Sequence, residues 1–170
     1  MKRLLALTLC CLCLMTLGAS ALAAEYEPTR LFLEALEEDD FFLEGYDVSP
    51  VEMGLDDSGN ELVAVQLNIE GLPDNVGICF RDTETSCTMY LFDVIQFDPA
   101  DRAELLELVN DFNKDYRYMR WYLMDDNTVN AQIDPLFRTG DGCGESLVET
   151  LSMLIRVAQS CLPELEPYAV

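Results

Sequence analysis

Between residues 62 and 95 the chain alternates apolar and polar positions. In 62–70, Val63, Val65, Leu67 and Ile69 stand between Ala64, Gln66, Asn68 and Glu70, the period of two expected of a strand with one buried face. Gly71-Leu72-Pro73-Asp74 turns the chain. Val76, Ile78 and Phe80 then share one face, with Gly77, Cys79 and Arg81 on the other. Asp82-Thr83-Glu84 predicts another turn, and 86–95, rich in Tyr90, Phe92 and Val94, a third strand. Three strands joined by short turns predict an antiparallel meander. Asp57-Ser58-Gly59-Asn60 is the turn before it, and 51–55 is a candidate short strand.

The period changes on either side. Pro28 suits a first helical turn; Leu31 and Ala35, with Phe32 and Leu36 beside them, share a face, and the acidic run 37–40 opposes the helix dipole and ends the helix. Asp98 can cap a second helix with Pro99 at its first position. Leu105, Leu108, Val109 and Phe112 form its stripe, and Asn113 ends it. Met119, Trp121 and Leu123 alternate with Tyr118, Arg120 and Tyr122; after the turn Asp125-Asp126-Asn127, Val129, Ala131 and Ile133 alternate with polar residues. This predicts a hairpin with both apolar faces on one core. A Gly-rich loop over 135–144 leads to a last helix, with Ser146 and Glu149 at capping-box spacing. Leu147, Leu151, Leu154, Ile155, Ala158 and Leu162 form its buried face, and Pro163 ends it. The expected fold is α+β, an antiparallel sheet of about five strands with helices packed on it, in the order α-β-β-β-α-β-β-α.

The first 24 residues stand apart. Lys2 and Arg3 precede an apolar run, 4–17, and residues 19–24 offer small side chains at the spacing a leader peptidase reads, predicting a signal peptide over 1–24 cut after Ala23 or Ala24 and a domain over 25–170. The run is short for a membrane span, and no small residue immediately precedes Cys10, Cys11 or Cys13 as a lipoprotein cut requires. The expected destination is the periplasm or the medium, with no stable membrane anchor after cleavage. The 170 residues are half hydrophobic, enough to bury a core. Net charge is −22, and losing Lys2 and Arg3 with the leader takes it to −24. Such a chain is repelled by nucleic acid and anionic lipid.

The cysteines are informative in an exported chain. If Cys79 and Cys87 lie opposite each other, Ile78 faces Thr88, Val76 faces Tyr90 and the turn centres on Thr83. A cross-strand disulfide fits that register; two free thiols on an amphipathic strand pair fit the same pattern, since sequence does not fix connectivity. Cys143 and Cys161 flank the last helix, roughly 27 Å apart at 1.5 Å per residue, too far for a bond that needs Cα atoms within about 7 Å.

Catalytic chemistry is thin. The chain has no histidine, which removes Ser-His and Cys-His pairs and histidine metal sites. After the leader there is no Cys-x-x-Cys, no P-loop and no dinucleotide fingerprint. No cofactor and no metal is expected. The alternative reading is a small secreted enzyme or redox protein using Cys143, close to a helix N-terminus, or the carboxylates at Asp56-Asp57, Asp125-Asp126 and Asp141, none with calcium-loop spacing.

Certain residues carry a family resemblance. Residues 108–118, Leu-Val-Asn-Asp-Phe-Asn-Lys-Asp-Tyr-Arg-Tyr, resemble the helix end "N-x-F-N" and aromatic-basic strand start of the YbjN family. Tyr122-Leu123-Met124-Asp125-Asp126 is similar to its hairpin entry, Cys87-Thr88-Met89-Tyr90-Leu91-Phe92 to the strand after its cysteine-bearing turn, and the Gly-rich loop into the last helix also fits. The resemblance covers most of 28–162; the acidic region 37–60 is longer than in the family, and the export signal departs from it. The resemblance implies a fold like that of type III secretion chaperones, a regulatory or chaperone-like protein-interaction module with no catalytic residue to carry over, and a homodimer as a candidate assembly. The outward strand residues Tyr118, Arg120 and Tyr122 are the candidate contacts for a protein partner.

Overall fold

The computed structural model describes residues 24–38, 43, 46, 48–81 and 86–170. Residues 1–23 of the expected leader over 1–24, the last two residues of the acidic run 37–40 and the turn at 82–84 lie outside them. Helix α1 spans Glu27–Glu38. Strands β1 (Val48–Leu55), β2 (Glu61–Leu67), β3 (Asn75–Phe80) and β4 (Cys87–Gln96) follow. Helix α2 is Arg102–Asp115, the hairpin is β5 (Met119–Leu123) and β6 (Thr128–Ile133), and α3 is Cys143–Leu165. The strands form one antiparallel sheet in the order β1-β2-β3-β4-β6-β5.

The expected α+β class and antiparallel sheet are present, with one strand more than expected: the order is α-β-β-β-β-α-β-β-α. The additional strand in that order is β1, expected only as a candidate short strand over 51–55; it starts earlier, at Val48, and is a full partner of β2. Pro50 and Gly54 lie within it, and its register shifts between Pro50 and Glu52, which breaks the alternation that marks a strand in sequence.

All the strands send one row of side chains into a shared core. Val63, Val65, Leu67, Val76, Ile78, Phe80, Met89, Leu91, Trp121, Val129, Ala131 and Ile133 are buried together beneath the helices. From α1 come Phe32 and Leu36, with Leu31 and Ala35 only partly buried. From α2 come Leu105, Val109 and Phe112. The expected stripe of α3, from Leu147 to Leu162, is buried throughout.

Three local departures have physical causes. A short 3₁₀ turn, Pro99–Asp101, intervenes before α2; Asp98 caps that turn, its carboxylate accepting the Ala100 N–H at 2.9 Å. Helix α3 begins at Cys143 rather than near Ser146, because Gly142 takes a left-handed conformation (φ 80°) and its carbonyl accepts the Ser146 N–H. It also runs past Pro163, since the fully buried Leu165 holds the last turn against the core.

Two contacts fix how the helices sit. Gly144 is where α3 meets α1: a Cβ built there would lie 2.3 Å from the Leu31 carbonyl oxygen and 2.7 Å from the Ala35 Cβ. At the end of α2, the Asn113 amide bonds the backbone of Trp121 twice, accepting its N–H at 2.7 Å and donating to its carbonyl at 2.9 Å. Phe112, one residue before, packs tilted against the Trp121 ring with centroids 5.4 Å apart.

Two substitutions test these contacts by urea unfolding. Gly144→Ala forces α1 away from α3 and is expected to lower stability by about 1–3 kcal/mol, the usual cost of overpacking. Asn113→Ala removes two hydrogen bonds worth roughly 1 kcal/mol each; a loss near 2 kcal/mol is expected, and no loss would show that water replaces the amide freely.

Candidate interaction surface

The helices cover one side of the sheet, and the other side faces out. Which residues it presents follows from register. In β3–β4, Phe80 pairs with Cys87, Cys79 with Thr88, Ile78 with Met89 and Val76 with Leu91. This is one residue away from the register expected from the cysteines. Tyr90 and Phe92 therefore lie on the outer face, not with Val76, Ile78 and Phe80. Cys87 faces the core while Cys79 faces outward, so the expected Cys79–Cys87 disulfide is absent and both thiols are free. The dry side of β4 is Cys87, Met89 and Leu91, all buried.

A bulge then re-aims β4. Leu91 pairs with Ala131 but Ile95 with Val129, so three β4 residues stand against Asn130 alone. Asp93 carries the strain with a positive φ of 54°. Its N–H is taken by the buried Asn130 side chain at 2.9 Å, in place of a ladder bond. The bulge leaves Phe92 half-exposed (48%) on the outer face. Its ring stacks on Tyr90, with centroids 5.2 Å apart and planes 12° from parallel. Gly77 makes room beneath: a Cβ there would meet the Phe92 ring edge at 3.3 Å.

Together these residues shape an apolar groove of about 500 Å³, lined by Leu62 and Ala64 of β2, Gly77 and Cys79 of β3, and Tyr90 and Phe92 of β4. Leu62 and Phe92 are exposed aliphatic and aromatic surface of the kind that marks a binding site when contiguous.

The residues singled out in sequence are only partly brought together. Arg120 and Tyr122 lie on the outer face of the edge strand β5, as their alternation predicts. Arg120 pairs with Asp134 at 3.2 Å, both side chains largely in solvent, a contact worth little. Tyr122 is half-buried and hydrogen-bonded to Asn130, and burial pushes its hydroxyl pKa up. Tyr118 is elsewhere. It lies in the turn before β5, 80% exposed, beside a small hollow of about 200 Å³ shared with Met153 and Val157 of α3. The groove residues Leu62, Gly77 and Phe92 were missed in sequence; the polar Asp93 inside an apolar strand is the one signal that could have betrayed the bulge.

Cys143 opens α3 beside a second, wide hollow of about 630 Å³ lined by Arg138, Asp141 and Ser146. Its thiol is buried, which pushes its pKa up, and Glu27 and Glu145 add to the shift. An activated thiolate needs the opposite environment. The carboxylates serve their own turns: Asp56 accepts the N–H groups of Ser58 and Asn60 and the Asn60 amide, holding it below the usual carboxylate range, and Asp126 accepts from Thr128. Among the described residues, no three Cys, Asp or Glu side chains gather where they could hold a metal ion. No helix among them is long and apolar enough to cross a membrane.

Residues 51–165 match the family model of YbjN, described as "Putative bacterial sensory transduction regulator". That is more than half of the chain, and the protein belongs to the YbjN family. Searches of curated proteins and of solved structures returned no match.

The buried thiols make a pH prediction. Burial pushes Cys161 from 9.0 to about 12 and raises Cys79, Cys87 and Cys143 as well. Between pH 9 and 12 the unfolded chain loses the Cys161 proton and the folded chain keeps it, and the other thiols, raised in the same direction, add to the effect, so stability is full below pH 9 and falls as pH rises above it. Urea midpoints from pH 8 to 11 check this. Iodoacetamide at pH 9 is expected to modify the folded protein far more slowly than the unfolded one; equal rates would contradict the buried thiols.

Proposed function

We propose that the protein is an exported, non-catalytic module that binds a protein partner through the outer face of its sheet. The observation that carries this reading is the Leu62–Phe92 groove, apolar and open on a domain whose opposite face is already filled by its own helices. The bulge at Asp93 and the glycine beneath Phe92 hold that ring outward at a conformational cost. The family's description as a regulator supports interaction over catalysis. The net charge of −22 favours a partner segment that joins apolar side chains to basic ones. Tyr90 and Tyr122 extend the surface towards β5, with Arg120 at its rim. A homodimer through the same face is the competing occupant. The redox alternative through Cys143 loses support because burial disfavours the thiolate it needs.

Site-specific photo-crosslinking tests the reading in the producing cells. A photoreactive phenylalanine at Phe92 is expected to capture a partner chain. The same residue at Leu106 of α2, equally exposed at 50%, is expected to capture none. An adduct of twice the protein's own mass would assign the face to self-association. Equal capture at both positions, or capture at neither, would sink the proposal.

A further inference from the structure

Glu61 begins β2 on the dry side of the sheet, in the row of Val63, Val65 and Leu67, and is only 3% exposed. A carboxylate so placed needs donors for both oxygens. Its Oε1 has two, the backbone N–H groups of Glu25 at 2.5 Å and Tyr26 at 3.3 Å. Its Oε2 is buried and has no hydrogen-bond partner. The segment that supplies the donors is pinned beyond them as well, since the Tyr26 hydroxyl donates to the Gly59 carbonyl at 2.8 Å and the Tyr26 carbonyl accepts the Arg30 N–H.

These donors lie at the expected leader boundary. Ala21 and Ala23 form the Ala-x-Ala pattern that a leader peptidase reads, with Ala24 following the cut. We propose that leader removal after Ala23 creates an α-ammonium on Ala24 that Glu61 holds, its free Oε2 being the acceptor kept for that charge. In the cut, water adds across the Ala23–Ala24 amide: the carbonyl carbon of Ala23 gains the oxygen and leaves as a carboxylate with the leader. The nitrogen of Ala24 gains protons and becomes an ammonium. Consecutive Cα atoms are 3.8 Å apart, so this ammonium lies one peptide unit from the N–H already on Oε1. It brings a full positive charge and three donors to a buried carboxylate that otherwise has only two neutral backbone donors. Glu61 is thus a receptor for the processed terminus, and the chain gains a buried ion pair on maturation.

The test uses the full chain, leader included, expressed in an exporting host. Intact mass of the exported protein is expected to place its first residue at Ala24. Any other start, Glu25 included, overturns the proposal, because the ammonium would then not be the Ala24 group for which Oε2 is kept. The exported protein is then labelled at pH 7 with a limiting amine-acylating reagent. Lys114 is the single lysine left after the leader and, being exposed, serves as internal reference. An ion-paired ammonium has its pKa raised by roughly one unit or more, so the α-amine should react about tenfold more slowly than in Glu61→Gln. A second variant, with Gly-Ser inserted between Ala23 and Ala24, moves the ammonium off Glu61 without touching the core and should label as fast as a free peptide. If the wild-type α-amine labels as fast as that of the insertion variant, Glu61 does not hold the terminus.

Discussion

Phe80 stands opposite Cys87, and that pairing decides the face of every residue in β3 and of β4 up to its bulge. With it, Met89 and Leu91 enter the core and Tyr90 stays out. Moved by one residue, the same strand would put Met89 and Leu91 in water. Burying each such side chain contributes about 1.5–3 kcal/mol, so the two alone approach the lower part of the roughly 5–15 kcal/mol that holds a whole domain together. The outer face, its groove and the free state of Cys79 and Cys87 all follow from this one alignment.

The alignment was not legible in β4, although much of the fold was. Strands β2 and β3 alternate cleanly, and α3 shows its stripe without ambiguity, because a one-sided environment writes a one-sided pattern. In β4 both faces are apolar: Cys87, Met89 and Leu91 on one, Tyr90 and Phe92 on the other. Periodicity cannot choose between two apolar rows, and two cysteines at a plausible spacing favoured the wrong one. The ambiguity has a physical source: one apolar row of the strand is buried beneath the helices and the other lines the outer groove. Tyr118 was misplaced for a different reason. It continues the alternation of β5 in sequence, but the backbone is still turning there after α2, so its parity carries no meaning.

The helix end at 110–113, Asn-Asp-Phe-Asn, becomes intelligible in the same terms. Phe112 and Asn113 are adjacent, so they point in different directions from the end of α2. The ring packs on Trp121 while the amide satisfies the backbone of the same residue. One helix end thereby fixes both the side chain and the main chain of a strand. Asn130 does comparable work inside the sheet, closing the gap that the β4 bulge leaves. Both are short polar side chains standing in for peptide groups, and neither has a signature in hydrophobic patterning.

Asn113 also has a consequence for how copies of the domain can meet. Strand β5 is one rim of the sheet, and its exposed N–H and C=O at Trp121 are already taken by the amide. The opposite rim, β1, is interrupted by Pro50 and by its register shift. Each rim is therefore poor template for another strand. A sheet hemmed at both borders resists being lengthened chain by chain into a fibre, because an incoming strand meets a proline on one side and a backbone already bonded on the other.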